Sequence, residues 1–213
     1  MKNILCYGDS NTYGYNPQNG LRYPKDVRWP GYLQLLLDKA PEAYTVIEEG
    51  CNGRTTVTED PNEPWKNGLD YLKPCLNSHK PVDLVILMLG TNDLKEYFHK
   101  TAEQIASDAG ILVDTIKSFT ELKQGFVPTI ILVSPPQVGE DMPNSPFSNS
   151  FTPRSLAESK LFAHYFKAVA KQKDCIFFDA ASCVEPSEED SLHLTASGHL
   201  ALAEALYQVI STL

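Results

Sequence analysis

Residues 84–89, Leu-Val-Ile-Leu-Met-Leu, limit the fold of this chain more than any other stretch. Successive side chains of a strand point to opposite faces, so six apolar residues in a row need both faces covered. A parallel sheet flanked by helices on each side meets that need. A membrane-crossing helix does not, since it takes about 20 apolar residues. Strand character extends over 82–89 and recurs at 3–7 (NILCY), 44–49 (YTVIEE), 129–134 (TIILVS) and 175–179 (CIFFD). Helical spacing falls between these runs, at about 30–39, 66–77, 102–119, 153–172 and 195–212. Pro30 and Pro153 suit first helical turns. Thr195 can cap the last helix, which repeats Leu200, Ala203, Leu206, Val209 and Ile210 at helical intervals. The alternation predicts an α/β fold, a doubly wound, flavodoxin-like three-layer sandwich of about five parallel strands, with residues 1–213 as one domain.

Such sheets carry their sites at the carboxyl ends of the strands. Four polar clusters fall there: Gly8-Asp9-Ser10-Asn11 after the first strand, Asn52-Gly53 after the second, Gly90-Thr91-Asn92-Asp93 after the third and Asp190-Ser191-Leu192-His193 after the fifth. Each alone reads equally well as a turn. Together they supply the parts of acyl transfer through a serine ester. Ser10 is the nucleophile candidate, with His193 as its base and Asp190 as the carboxylate that orients the imidazole. The amides of Ser10 and Gly53 and the side chain of Asn92 are candidate donors to an oxyanion. Gly50 competes with Gly53 in the same loop. Asp9, Asp93 and Asp179 compete with Asp190, and Glu188-Glu189-Asp190 could be a solvated acidic run.

Other chemistries are disfavoured. No GxGxxG or GxxxxGK[ST] follows a strand, so neither a dinucleotide nor a nucleoside triphosphate is expected. A net charge of −9 argues against nucleic acid and anionic membrane surfaces. The five cysteines form no CxxC pair and read as reduced thiols. The histidines show no HxxxH spacing, and His79, His99, His164 and His199 are expected to be structural or exposed. No metal and no cofactor are expected. The chain runs from Met1 directly into a strand-like segment, so a cytoplasmic location is expected.

In order and spacing the four clusters resemble the blocks of the SGNH hydrolases, a branch of the GDSL esterase/lipase family, with Asn11 where many members have Leu. Val27-Arg28-Trp29, Val46-Ile47-Glu48-Glu49-Gly50, Arg54-Thr55-Thr56, Ser134-Pro135-Pro136 and Phe177-Phe178-Asp179-Ala180 are similar to the bacterial arylesterase and acyltransferase/perhydrolase branch. The resemblance implies hydrolysis of short-chain acyl esters of small molecules, acyl transfer to an alcohol or peroxide in some members, and homo-oligomers. A carbohydrate deacetylase of acetylxylan type would use the same blocks, and a non-catalytic binding module could keep the same fold. The long loops 8–29 and 135–152 are candidate binding loops. In the first, Tyr13, Tyr15 and Trp29 could wall a small apolar pocket or pack on the sheet. In the second, Phe147 and Phe151 could form another wall or a subunit contact.

Overall fold

All five expected strands form one parallel sheet in the computed structural model, which describes residues 1–213. They are β1 (Lys2–Gly8), β2 (Tyr44–Gly50), β3 (Leu84–Met88), β4 (Thr129–Ser134) and β5 (Ile176–Asp179), in the order β2-β1-β3-β4-β5. Parallel pairing in register aligns Gly8 at the end of β1 with both Gly50 and Met88, so three strand ends finish level with one another. The order reverses between β1 and β3, the switch point at which open α/β sheets form their binding crevice.

Two cores follow from the alternation. Leu5, Tyr7, Val85, Leu87, Ile130 and Leu132 face one side, and Ile4, Cys6, Leu84, Ile86, Met88, Ile131 and Val133 face the other. The first side is covered by α3 (Gly68–His79), α4 (Ala102–Gln124) and α6 (Phe162–Gln172). The second is covered by α2 (Trp29–Leu37) and α7 (Ala196–Ile210), which place Leu33, Leu37, Leu202, Leu206 and Ile210 on it. Each such fully buried aliphatic side chain contributes about 1.5–3 kcal/mol. Thr195 caps α7 as expected, its hydroxyl accepting the amide of Gly198 at 3.1 Å.

Three expectations change. The helix expected at 153–172 is two helices, α5 (Pro153–Ser159) and α6. Ser159 donates its hydroxyl back to the carbonyl of Leu156 and accepts the amide of Val138 at 3.0 Å, which ties the end of α5 to the 135–152 loop. A hydroxyl that competes for backbone groups in this way bends or stops a helix. The helix expected to end at 119 continues as α4 to Gln124, because Gly125 at φ +83° provides the left-handed stop. The 8–29 loop contains a short helix, α1 (Ser10–Tyr13), and folds back through an antiparallel bridge between Tyr15 and Arg22.

Candidate active site

The end of β1 sets the serine. A Cβ at Gly8 would sit 2.0 Å from Thr12 Oγ1 and 2.8 Å from the carbonyl of Met88, so only glycine lets α1 start this close to the sheet. Asp9 caps α1 by accepting the amide of Asn11 at 3.0 Å. Ser10 is the first residue of α1, so its N–H has no partner within the helix.

The segment 187–193 sets the imidazole. His193 Nε2 is 2.9 Å from Ser10 Oγ, and its Nδ1 is 2.6 Å from Asp190 Oδ2. The other carboxylate oxygen of Asp190 accepts from the Ser187 hydroxyl and from the amides of Leu192 and His193 at 2.9–3.0 Å. Burial pushes the Asp190 carboxyl up, but its bonds to His193 and to these amides outweigh burial and leave it below the ordinary value. It is therefore an anion at neutral pH, suited to hold Nδ1–H and leave Nε2 as an acceptor. Glu188 and Glu189 are exposed while Asp190 turns inward, with Ser191 in the left-handed region at φ +58°. Asn11 brackets the histidine from across the site. Its amide donates to the carbonyl of Leu192 at 3.3 Å and its oxygen accepts the amide of Leu194 at 3.0 Å.

The rival carboxylates are occupied elsewhere. Asp93 accepts the Thr56 hydroxyl at 2.6 Å and the Thr56 amide at 2.9 Å, locking the loop after β2 to the third polar cluster. Asp179 caps the turn after β5 through the amide of Ala181. Burial raises Asp9 and Asp93 to about 6.

Asn92 donates to the carbonyl of Arg54 at 3.1 Å, which fixes its amide and leaves a second N–H. Arg54 in turn donates to the carbonyls of Gly8 and Glu49 and lies over the ring of Tyr7, stitching the ends of β1 and β2 together. Gly53, at φ +79°, makes no backbone hydrogen bond with its N–H. It lines a cavity of about 300 Å³ together with Ser10, Asn92 and His193, and Gly50 does not.

Tyr15, Phe147 and Phe151 give that cavity an aromatic lining. Tyr15 lies against His193 with ring centroids 4.2 Å apart, and Phe147 meets it edge-on at 5.3 Å. Of the first loop's candidates, Tyr13, Tyr15 and Trp29, only Tyr15 is here, while both candidates of the second loop, Phe147 and Phe151, line the cavity. Tyr13 lies outside the lining and carries the guanidinium of Arg22 over its ring. Trp29 is fully buried in the core under α7, because it opens α2 on the sheet-facing side. The polar lining includes Asn52, from the second of the four clusters, and Lys66, Lys95 and Ser150, which nothing in the sequence singles out. A larger groove of about 750 Å³ shares Ser187 and Ser191 with the back of this loop and does not reach Ser10.

His199 is buried against Trp29, accepting its amide on Nδ1 at 3.3 Å. Burial drops its pKa to about 3, so the folded protein refuses a proton that the unfolded chain takes up below about pH 6.5. Its contribution to stability is full above pH 6.5 and is lost as pH falls toward 3, at about 1.4 kcal/mol per pH unit. Asp9 and Asp93 act in the opposite sense: their contributions are full below about pH 3.9 and are lost as pH rises through 6. His199→Asn isolates the histidine. Its destabilisation relative to wild type, from urea unfolding, should shrink by about 2 kcal/mol between pH 7 and pH 5. An unchanged difference would mean that His199 protonates freely in the folded state.

Glu49, Cys75 and His79 also meet, their ligand-type atoms within 4.8 Å of one another, a grouping that spacing along the chain did not suggest. His79 and Glu49 are 2.7 Å apart, burial pushes the Cys75 thiol up to about 12, and Arg54 reaches the carbonyl of Glu49. We read the group as a hydrogen-bonded pair packed on a protonated thiol.

A serine, an imidazole and a carboxylate aligned at the switch point of an α/β sheet are the arrangement of a serine hydrolase. The chain belongs to the GDSL-like lipase/acylhydrolase family, whose model matches residues 6–201, and it is a carboxylic ester hydrolase with that family's fold. Among solved structures it is similar to Est24, a carbohydrate acetylesterase from Sinorhizobium meliloti, at 36% identity and TM-score 0.92, covering 100% of this chain and 99% of that one. It is equally similar to the M. smegmatis aryl esterase, at 36% identity and TM-score 0.91 with 100% of both chains covered. A member of the lipolytic G-D-S-L family from Veillonella parvula shares the fold at 15% identity and TM-score 0.72, with 100% of both chains covered. No curated protein matches the sequence. No helix is long and apolar enough to cross a membrane.

Proposed function

We propose that the protein hydrolyses short-chain acyl esters through an acyl-enzyme on Ser10. The observation that carries this reading is the unbroken series Asp190–His193–Ser10, opening on a cavity shared with Asn92 and Gly53. Ser10 Oγ attacks the carbonyl carbon as its proton passes to His193 Nε2. The oxyanion takes hydrogen bonds from the amides of Ser10 and Gly53 and from Asn92 Nδ2. His193 returns the proton to the departing alcohol. Water, deprotonated by the same nitrogen, then attacks the acyl-enzyme and releases the carboxylic acid and Ser10. An alcohol in place of that water gives acyl transfer, in line with the branch the sequence resembles. That branch and the five free cysteines also support a cytoplasmic homo-oligomer.

Asn92→Ala removes one donor to the oxyanion, and kcat should fall by about 10²–10³ with little change in KM. A loss confined to KM would make Asn92 a binding residue instead. The small cavity beside Tyr15, Phe147 and Phe151 favours a short acyl group. Across a p-nitrophenyl ester series, kcat/KM should fall at least about tenfold from acetyl to octanoyl, the scale of forcing extra methylenes into a filled site. A rising series would point to a lipase-type site. The likeness to Est24 and the polar residues Asn52 and Ser150 support acetylated carbohydrates as a second reading, tested by acetate release from acetylated xylo-oligosaccharides.

A further inference from the structure

The charge of the catalytic cavity runs against that of the chain as a whole. The chain carries a net charge of −9, yet the cavity is lined by two lysines, Lys66 and Lys95, and by no aspartate or glutamate. Both ammonium groups have carboxylate partners, Glu63 for Lys66 and Asp60 for Lys95, but neither partner reaches the lining. Each lysine thus borders the cavity while its carboxylate partner does not, and the Lys66 ammonium is placed at Gly53. Each ammonium has three N–H groups and gives one to the protein, to Glu63 or to Asp60. The two side chains are only 12% and 13% exposed, so water screens them less than it screens surface lysines. Lys66 also lies over the backbone of Gly53, where a Cβ would be 2.6 Å from its ammonium. Tyr15, Phe147 and Phe151 supply the aromatic part of the same lining.

Two partly desolvated cations with unused donors suit an anion in the substrate. A short acyl group carries no charge, so such an anion belongs to the alcohol half of the ester. We propose that the alcohol portion of the substrate carries an anion, a carboxylate or a phosphate, that Lys66 and Lys95 bind. This rests on the reading of Ser10 as the residue acylated. The reaction stays a hydrolysis: water and the ester give the short carboxylic acid and an anion-bearing alcohol.

The test uses three acetyl esters of similar shape: methyl 4-acetoxybenzoate, which is neutral, 4-acetoxybenzoate and 4-acetoxyphenyl phosphate. Each kcat/KM is divided by that ester's own rate of alkaline hydrolysis, and the result is expressed as the ratio of anionic to neutral ester within one protein, so that a general loss of activity cancels. For wild type at low ionic strength the ratio should be at least about 10 for one anion or both, and the larger ratio names the anion. Added sodium chloride should lower it, since salt screens charge. Lys66→Met and Lys95→Met should each lower the ratio, and the double variant should bring it to about 1. Circular dichroism checks that the variants are folded. A wild-type preference for the neutral ester, or a ratio unchanged in the double variant, overturns the proposal. So does a Lys66→Met loss equal for all three esters, which would assign that lysine to the oxyanion. If Ser10→Ala hydrolyses all three esters like wild type, the reading of Ser10 fails instead, a result that no lysine variant imitates.

Discussion

Ser10→Ala is expected to lower kcat for p-nitrophenyl acetate by about 10⁴–10⁶ while the circular dichroism spectrum stays that of wild type. The size follows from the role. A hydroxyl 2.9 Å from His193 Nε2 is the only nucleophile that the imidazole reaches, and alanine leaves water to do its work unpositioned. The fold should tolerate the change. Cap and clamp bonds at this turn come from Asp9 and Asn11, and the Ser10 side chain bonds to His193 alone. Residual activity should come from the oxyanion donors and binding, which act without the serine. An unchanged rate would leave the four polar clusters as a description of the fold and move the chemistry elsewhere.

Asp190→Asn should cost about 10⁴ in kcat with KM nearly constant. The mutant amide would keep the shape of the carboxylate but present an N–H where Oδ2 now faces Nδ1 at 2.6 Å. The imidazole would then carry its proton on Nε2, unable to accept the proton of Ser10, and its protonated form would lose the adjacent anion. Asp179→Asn should leave kcat unaffected, because Asp179 caps the turn after β5 and has no contact with His193. Equal losses in the two variants would mean that the assignment of the acid is wrong. Steady-state kinetics of both, on the same ester, decides it.

These expectations draw on parts of the molecule that differ in how far the sequence gives them away. The run Leu84–Leu89 announces the sheet because alternation forces both of its faces inward, and the level ends of β1, β2 and β3 then gather Ser10, Gly53 and Asn92, with His193 reaching them from beyond β5. Asp190 is legible by its adjacency to His193, although the two exposed glutamates before it give it the look of a surface run. Where the sequence reading fails, side-chain contacts at long range decide the outcome. Trp29 and Tyr13 sit in the same aromatic loop as Tyr15, yet α2 turns Trp29 into the core and Arg22 covers Tyr13. The break between α5 and α6 depends on a serine hydroxyl meeting a loop 21 residues away. Lys66 and Lys95 look like ordinary surface lysines: Glu63 three residues before Lys66 reads as a routine local pair, and the Lys95–Asp60 pair is long-range with no local sign. The clamp of Asn11 on Leu192 and Leu194 spans more than 180 residues and has no local signature.

The central claim, that Ser10 is acylated with His193 as its base, is tested most directly by mass spectrometry after reaction with diethyl p-nitrophenyl phosphate. This compound phosphorylates an activated serine and leaves it blocked. We predict one diethylphosphoryl group per chain, on the peptide that contains Ser10, with esterase activity lost in proportion to labelling and labelling strongly slowed in Asp190→Asn. A label on another residue, or a fully labelled protein that keeps its activity, would contradict the account.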